Sequence, residues 1–408
     1  MVTGQGEDTD AYIRSLEMMR RCLTSAGFVA SPLSVDNYAR VWARDGVITG
    51  LAALASGDRE LIEGLKHTLD TLGEHQGPHG EIPSNVAIDG SSVSYGQLVG
   101  RVDALLWFVI GACAYLHCTN DVRWKAEVLP RVERALFLAS CWEYNNRGLM
   151  YTPLAGNWAD EYIQQGYVLS DQLLYLLALR SAAAIYADQA WQQKAERLRQ
   201  MLVINYWPTA AFEGHALVYH PHAYHRQLQE GETIYWLPAF SPSGYTQYFD
   251  GLAHALALLT GLGDTAQREQ AEQHVLSLER LIGSTLLPAF WPVIQPGDAG
   301  WSELEANHLY GVMKNQPYCY HNGGLWPVLT GLYALGLAQN GQLERAKKLL
   351  VAINVANASP GEDRAWEFAE YHHGQTHLPM GTRNLAWSAA AGVLAHQAVW
   401  RGKNPIAI

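Results

Sequence analysis

Helical stretches along this chain are joined alternately by links of a few residues and by long polar loops, and few architectures accept that rhythm. Apolar residues at helical spacing predict helices near 8–26, 45–57, 58–75, 101–119, 122–144, 168–188, 190–206, 244–262, 265–281, 323–340, 342–357 and 383–402. The links within 57–58, 119–122, 188–190, 262–265 and 340–342 are short. Those at 27–44, 76–100, 145–167, 207–243, 282–322 and 358–382 are long and rich in Trp, Tyr, Asp, Glu, His, Gly and Pro. Antiparallel neighbours joined in this alternation carry every long connection on one face, and long loops of this kind are usually functional. Hairpins recurring at roughly 60–70 residues use the whole chain. The expectation is an all-α fold: a closed (α/α)6 toroid, or six-hairpin barrel, forming one domain over 1–408.

Composition narrows the partners. With 49% hydrophobic and 16% charged residues the chain supports a sizeable core. A formal net charge of -11 argues against nucleic acid and anionic membranes. No run of about eighteen apolar residues is apparent, and Met1–Asp10 is polar and acidic, so a cytoplasmic protein is expected. The five cysteines (Cys22, Cys113, Cys118, Cys141, Cys319) are odd in number and lack metal spacing, which predicts reduced structural thiols. Sparse charge on 101–119 leaves homo-oligomerisation open.

The aromatic residues concentrate in the long loops: Trp42, Tyr95, Trp158, Tyr162, Tyr235, Trp236, Tyr245, Trp291, Trp301, Tyr318, Tyr320, Trp366 and Tyr371. Rings beside carboxylates, amides and histidines suit a small carbohydrate, whose C–H faces stack while its hydroxyls take fixed donors and acceptors. Cleaving a glycosidic bond commonly needs two carboxyls, one to protonate the leaving oxygen and one to activate water or attack carbon. Two loop segments offer them: Gly156-Asn157-Trp158-Ala159-Asp160-Glu161-Tyr162, and Trp366-Glu367-Phe368-Ala369-Glu370-Tyr371-His372-His373-Gly374. An apolar, amide-lined setting around Asp160 and Glu161 favours a raised carboxyl pKa. Asp160 and Glu370 are 210 positions apart, yet a closed toroid brings the third and sixth long loops across one cavity.

These segments carry a resemblance. Val41-Trp42-Ala43-Arg44-Asp45-Gly46, Gly100-Arg101-Val102-Asp103-Ala104-Leu105-Leu106-Trp107, Trp158-Ala159-Asp160, His321-Asn322-Gly323-Gly324-Leu325-Trp326-Pro327, and Ala369-Glu370-Tyr371 with Ala386-Trp387-Ser388-Ala389-Ala390 run in order from about 38 to 395. Together they resemble the inverting α/α-toroid glycosidases. The nearest pattern is that of the neutral/alkaline invertases, with related patterns in trehalases, glucoamylases and the glucosidase domain of glycogen-debranching enzymes.

The resemblance implies Asp160 as general acid and Glu370 as general base. It implies Asp45, just after Trp42 and Arg44, as a partner for sugar hydroxyls, with Asp103 beside Arg101 at a second such position. Trp158, Glu161, His321, Asn322, Trp326, Glu367, Tyr371 and Trp387 fall in segments that line the same pocket. Inversion requires the carboxyls to stand roughly 6.5–9.5 Å apart, leaving room for water. A helix N-terminus under Asp45 favours its ionised form, and the acid–base pair implies a bell-shaped pH profile.

Where invertases carry an Arg-rich stretch after the acid, this chain has Glu161-Tyr162-Ile163-Gln164-Gln165, so a different leaving-group subsite is expected. Glu161 and Glu367 each compete with their neighbours for the catalytic role. The substrates left open are sucrose, another small α-glucoside, and an α-1,6-linked oligosaccharide end, with a small glycoside favoured over a polymer. A second reading is a sugar epimerase or lyase using His321, His372 or Tyr371 as base; a third is a non-catalytic glycan binder. No motif calls for a metal or an organic cofactor. His220-Pro221-His222-Ala223-Tyr224-His225 has histidines close together, but Pro221 argues against a helical pair and no carboxylate or Cys is interleaved, so packing is expected there.

Overall fold

The computed structural model describes residues 9–308, 311–360 and 365–406. Its helices are α1 (Thr9–Arg21), α2 (Ala43–Ser56), α3 (Arg59–Glu74), α4 (Val102–Thr119), α5 (Val122–Cys141), α6 (Leu169–Tyr186) and α7 (Gln189–Tyr206), followed by α8 (Pro221–Glu230), α9 (Gly251–Thr260), α10 (Thr265–Ile282), α11 (Trp301–Ala306), α12 (Pro327–Gln339), α13 (Leu343–Ala358) and α14 (Ala386–Arg401). Helices α2, α4, α6, α9, α12 and α14 each pack on the next, and α14 packs back on α2, closing an inner ring. The other long helices stand outside it.

The two rings differ in sequence for a physical reason. An inner helix touches neighbours on all sides, so it is apolar all round; α12 is buried from Pro327 to Leu337. Outer helices bury one stripe, as α3 does with Leu61, Gly64, Leu65, Thr68, Leu69 and Leu72. Helix α4 is long and apolar enough to cross a membrane by length and composition, which corrects the reading of the sequence; it is an inner helix, buried in the ring.

The short links after α2, α4 and α6 share one chemistry. Gly57, Asn120 and Ala187 turn left-handed after α2, α4 and α6, and the next residue caps the following helix. Asp58 accepts from the Leu61 N–H, Asp121 from Trp124 and Asp188 from Trp191. The long connections gather over the N-termini of the inner helices and are stitched by short antiparallel strands. Arg40–Trp42 pairs with Asn85–Ala87, setting Trp42 opposite Asn85. Tyr167–Val168 pairs with Ala239–Ser241, which pairs with Gly244–Tyr245.

Several boundaries differ from expectation. The first helix ends at Arg21 because Leu23–Thr24 folds back on Gly27–Phe28. The helix expected from 244 begins at Gly251, since Ser241-Pro242-Ser243-Gly244 makes a hairpin. The one expected from 323 begins at Pro327, where a missing N–H costs nothing. Within the expected loops lie α8 and α11. Pro221 starts α8 rather than opposing it, and His220 caps it by accepting from the Ala223 N–H. His225 pairs with Glu213 at 2.5 Å.

Candidate active site

A narrow cavity opens among the long loops at the centre of the ring. About 60 Å³ of it admits the centres of water-sized spheres, room for a handful of waters. Its floor comes from the inner helices. Asp45 lies in the first turn of α2 and Trp387 in that of α14, and Trp326 caps α12. Asp160 and Glu370 enter from the third and sixth long loops, and Trp42, Arg44, Trp158 and His321 of the expected residues line the cavity beside them.

Glu370 is buried. Its Oε1 accepts from the Tyr38 hydroxyl at 2.8 Å and its Oε2 from the Thr382 N–H at 3.1 Å. Burial raises its pKa to about 7, above the usual carboxylate range, while those two bonds and the Lys314 charge pull the other way. Gly381, left-handed at φ 72°, backs this carboxyl so closely that a Cβ there would collide with Oε2. Asp45 is raised to about 6 by burial, opposed by the Arg44 charge and its own backbone N–H. The helix N-terminus therefore does not decide that group; desolvation outweighs it.

Asp160 is held from behind. Arg101 Nη2 donates to its Oδ2 at 3.1 Å, while Arg101 Nη1 donates to the Val99 and Ala155 carbonyls. The loop that carries Asp160 rests on a buried polar lattice. Asp171 Oδ2 accepts from Thr152 Oγ1 at 2.8 Å and Asn157 Nδ2 at 3.1 Å, Asn157 also donates to Gln164, and Gln164 donates to Asp250. Burial and then the Asp103 charge raise the Asp171 pKa to about 8, so this carboxyl holds its proton at neutral pH.

The aromatic walls are packed against each other. His321 stacks on Trp326 with centroids 5.5 Å apart, and Trp158 meets both edge-on. Burial holds the His321 pKa well below that of a free histidine, so the ring is neutral and a weak proton acceptor. Arg44 Nη1 pairs with Asp103 at 2.6 Å, and the guanidinium carbon lies 5.8 Å from the centre of the Trp387 ring.

Other expected residues sit outside the cavity wall. Asp103 and Arg101 act through Arg44 and Asp160, and Tyr371 stacks behind Trp326 at 5.4 Å. Asn322 is buried with its amide bonded to the Ile294 backbone and to the Asn315 carbonyl. Glu161 is buried away from the lining. Glu367 lies in a different pocket, paired with Arg383 at 2.8 Å beside Trp366. His372 bonds the His377 carbonyl and borders an outer groove. These placements remove Glu367 and His372 from contention for chemistry in the cavity.

Residues not singled out as site members also line it: Ala30, Asn37, Tyr38, Lys314 and Tyr320. Tyr320 was visible as a loop aromatic. Lys314 had a signal too, as the only Lys or Arg within 282–322. Tyr38 had none, because its partner Glu370 is 332 positions away. Tyr320 takes a left-handed φ of 48° and Tyr318 one of 66°, the kind of backbone strain that collects at functional sites.

Known proteins resemble this chain in sequence and in fold. Residues 167–388, more than half the chain, match the mannosylglycerate hydrolase MGH1-like glycoside hydrolase domain; the match includes Glu370 and begins after Asp160. The chain is 24% identical to alkaline/neutral invertase C, mitochondrial, of Arabidopsis thaliana, over 88% of its own length and 61% of that protein's. It is 40% identical over 76 residues to a glucosylglycerate hydrolase of Mycolicibacterium hassiacum, covering 19% of this chain and 16% of that one. The crystal structure of a mannosylglycerate hydrolase from Thermus thermophilus superposes with a TM-score of 0.65 at 13% identity, covering 94% of this chain and 99% of the other.

Proposed function

The chain is a glycoside hydrolase and belongs to the mannosylglycerate hydrolase MGH1-like family; on that premise we propose that it hydrolyses a small α-glycoside with inversion, Asp160 acting as general acid and Glu370 as general base. The observation that carries this reading is the meeting of two loop carboxyls, 210 positions apart, in one aromatic cavity. Glu370 removes a proton from a water as the water's oxygen bonds to the anomeric carbon. Asp160 delivers its proton to the glycosidic oxygen as the carbon–oxygen bond breaks. The products are a free sugar of opposite anomeric configuration and an alcohol.

Each wall has a part in this. Tyr38 aims Glu370, and a base with a pKa near 7 is well matched to neutral conditions. Arg101 fixes the direction of Asp160. Trp42, Trp387 and Asp45 are placed to hold the sugar ring, its faces on the indoles and its hydroxyls on the carboxylate. The narrowness of the cavity favours one sugar ring and a small leaving group over a polymer. The epimerase reading is not favoured: the lowered pKa of His321 makes it a weak proton acceptor packed against rings, while His372 and Tyr371 stand outside the cavity.

For the leaving group, a sucrose-like glucoside is the first reading. A second, an acidic aglycone such as glycerate, is favoured by Lys314, a cation in the cavity lining that lies 5.4 Å from the Tyr320 ring, and by the matched segment of the glucosylglycerate hydrolase. Sugar release from sucrose and from glucosylglycerate, measured for the wild type and for Lys314→Gln, decides between them. An acidic aglycone requires selective loss of glucosylglycerate turnover in the variant. Turnover of neither compound by the wild type contradicts both.

A further inference from the structure

We infer that a second carbohydrate site, separate from the catalytic cavity, lies behind Arg101 and takes a neutral hexopyranosyl unit of an oligosaccharide. It is a cleft between the loops that follow α3 and α5, walled by Tyr95, Trp142, Tyr144 and Tyr151, with Glu81 and Arg101 at its polar edge. About 170 Å³ of it admits the centres of water-sized spheres, against about 60 Å³ in the catalytic cavity.

Its chemistry is that of sugar recognition. The Tyr144 and Tyr151 rings stand 6.3 Å apart at 43°, giving two inclined faces for the C–H surfaces of a pyranose. Tyr144 is 73% exposed although Trp142 and Tyr151 beside it are half-buried; an ordinary packing role would cover it. Tyr151 is itself propped edge-on by Tyr167 at 5.5 Å, and Tyr95 is anchored by its hydroxyl to the His75 carbonyl at 2.5 Å. The platform is therefore built from behind and open in front.

Charge selects the ligand. Glu81 and Arg101 both line the cleft, the guanidinium donating to Asp160 and to the Val99 and Ala155 carbonyls and the Glu81 Oε2 accepting from the His79 N–H. One charge of each sign beside rings gives a sugar's hydroxyls both a donor and an acceptor and leaves no excess charge to attract an ion, so a neutral sugar fits. Arg101 lines this cleft and reaches Asp160 of the cavity with its Nη2, and no residue lines both.

Hydrogen exchange on the Glu370→Gln protein, with and without maltotriose, tests this without requiring turnover. Slowed exchange is expected in 95–101 and 142–153, with loss of that protection in Trp142→Ala. Tyr144→Ala, which removes an exposed ring and leaves the core intact, should lose it as well. Both substitutions should leave hydrolysis unchanged when made in the wild type. Protection that persists in Tyr144→Ala, or that is confined to 37–45 and 318–326, overturns the second site. Protection in neither region, with hydrolysis of another glycoside intact, also overturns it while leaving the hydrolase reading in place.

Discussion

Glu370 is the residue whose surroundings make the sharpest demand on activity. It must be ionised to act as base, and its pKa is raised to about 7 by burial. Activity is therefore lost as pH falls through about 7, and the acid limb of kcat/KM should lie there rather than at the 4–5 of an exposed glutamate. Tyr38→Phe deletes a bond to the ionised form, so the limb should move to higher pH; a pH–rate profile unchanged by the substitution would remove Tyr38 from this role. Asp160→Asn should cut kcat by roughly 10²–10⁴-fold with the melting temperature kept, and a fully active, folded variant would contradict its assignment. At this scale the sequence showed the carboxyls and indoles because they sit in motifs with aromatic neighbours. It hid Tyr38, whose importance comes only from contact with a distant loop. It also misplaced Glu367 and Asn322, since a motif tells which segment approaches a cavity, not which side chains face it.

Between elements, α12 and α14 approach each other closely. A Cβ at Gly331 would lie 2.7 Å from the Cα of Ala391, so Gly331→Val forces these helices apart. The expected cost is about 1–3 kcal/mol, read by denaturant unfolding; an unperturbed variant would show that the ring yields more easily than its packing implies. The buried lattice under the Asp160 loop gives a pH-dependent counterpart. The Asp171 pKa is raised from the usual 3.8 to about 8 by burial. Folding then retains a proton that the unfolded chain gives up, and stability falls as pH rises through that range, by at most about 1.4 kcal/mol per unit. Melting temperatures from pH 5 to 8 should fall less steeply in Asp171→Asn; an identical slope would place the proton elsewhere. The short links were legible because the apolar spacing of one helix stops and that of the next starts within a few residues. Helices α8 and α11 were not, being brief and enclosed in loops whose composition says only that the chain turns there.

For the whole molecule, ring closure was readable from the alternation of short and long connections, because that order alone puts six loops on one face. The substrate was not readable, as it depends on how Lys314, Trp42 and their neighbours converge. The direct test of the central claim is a proton NMR time course of the purified protein with sucrose and with glucosylglycerate. Two carboxyls acting through a water predict that the sugar first appears with its anomeric configuration inverted, the equilibrium mixture forming only later. First appearance with the configuration retained would contradict the roles given to Asp160 and Glu370.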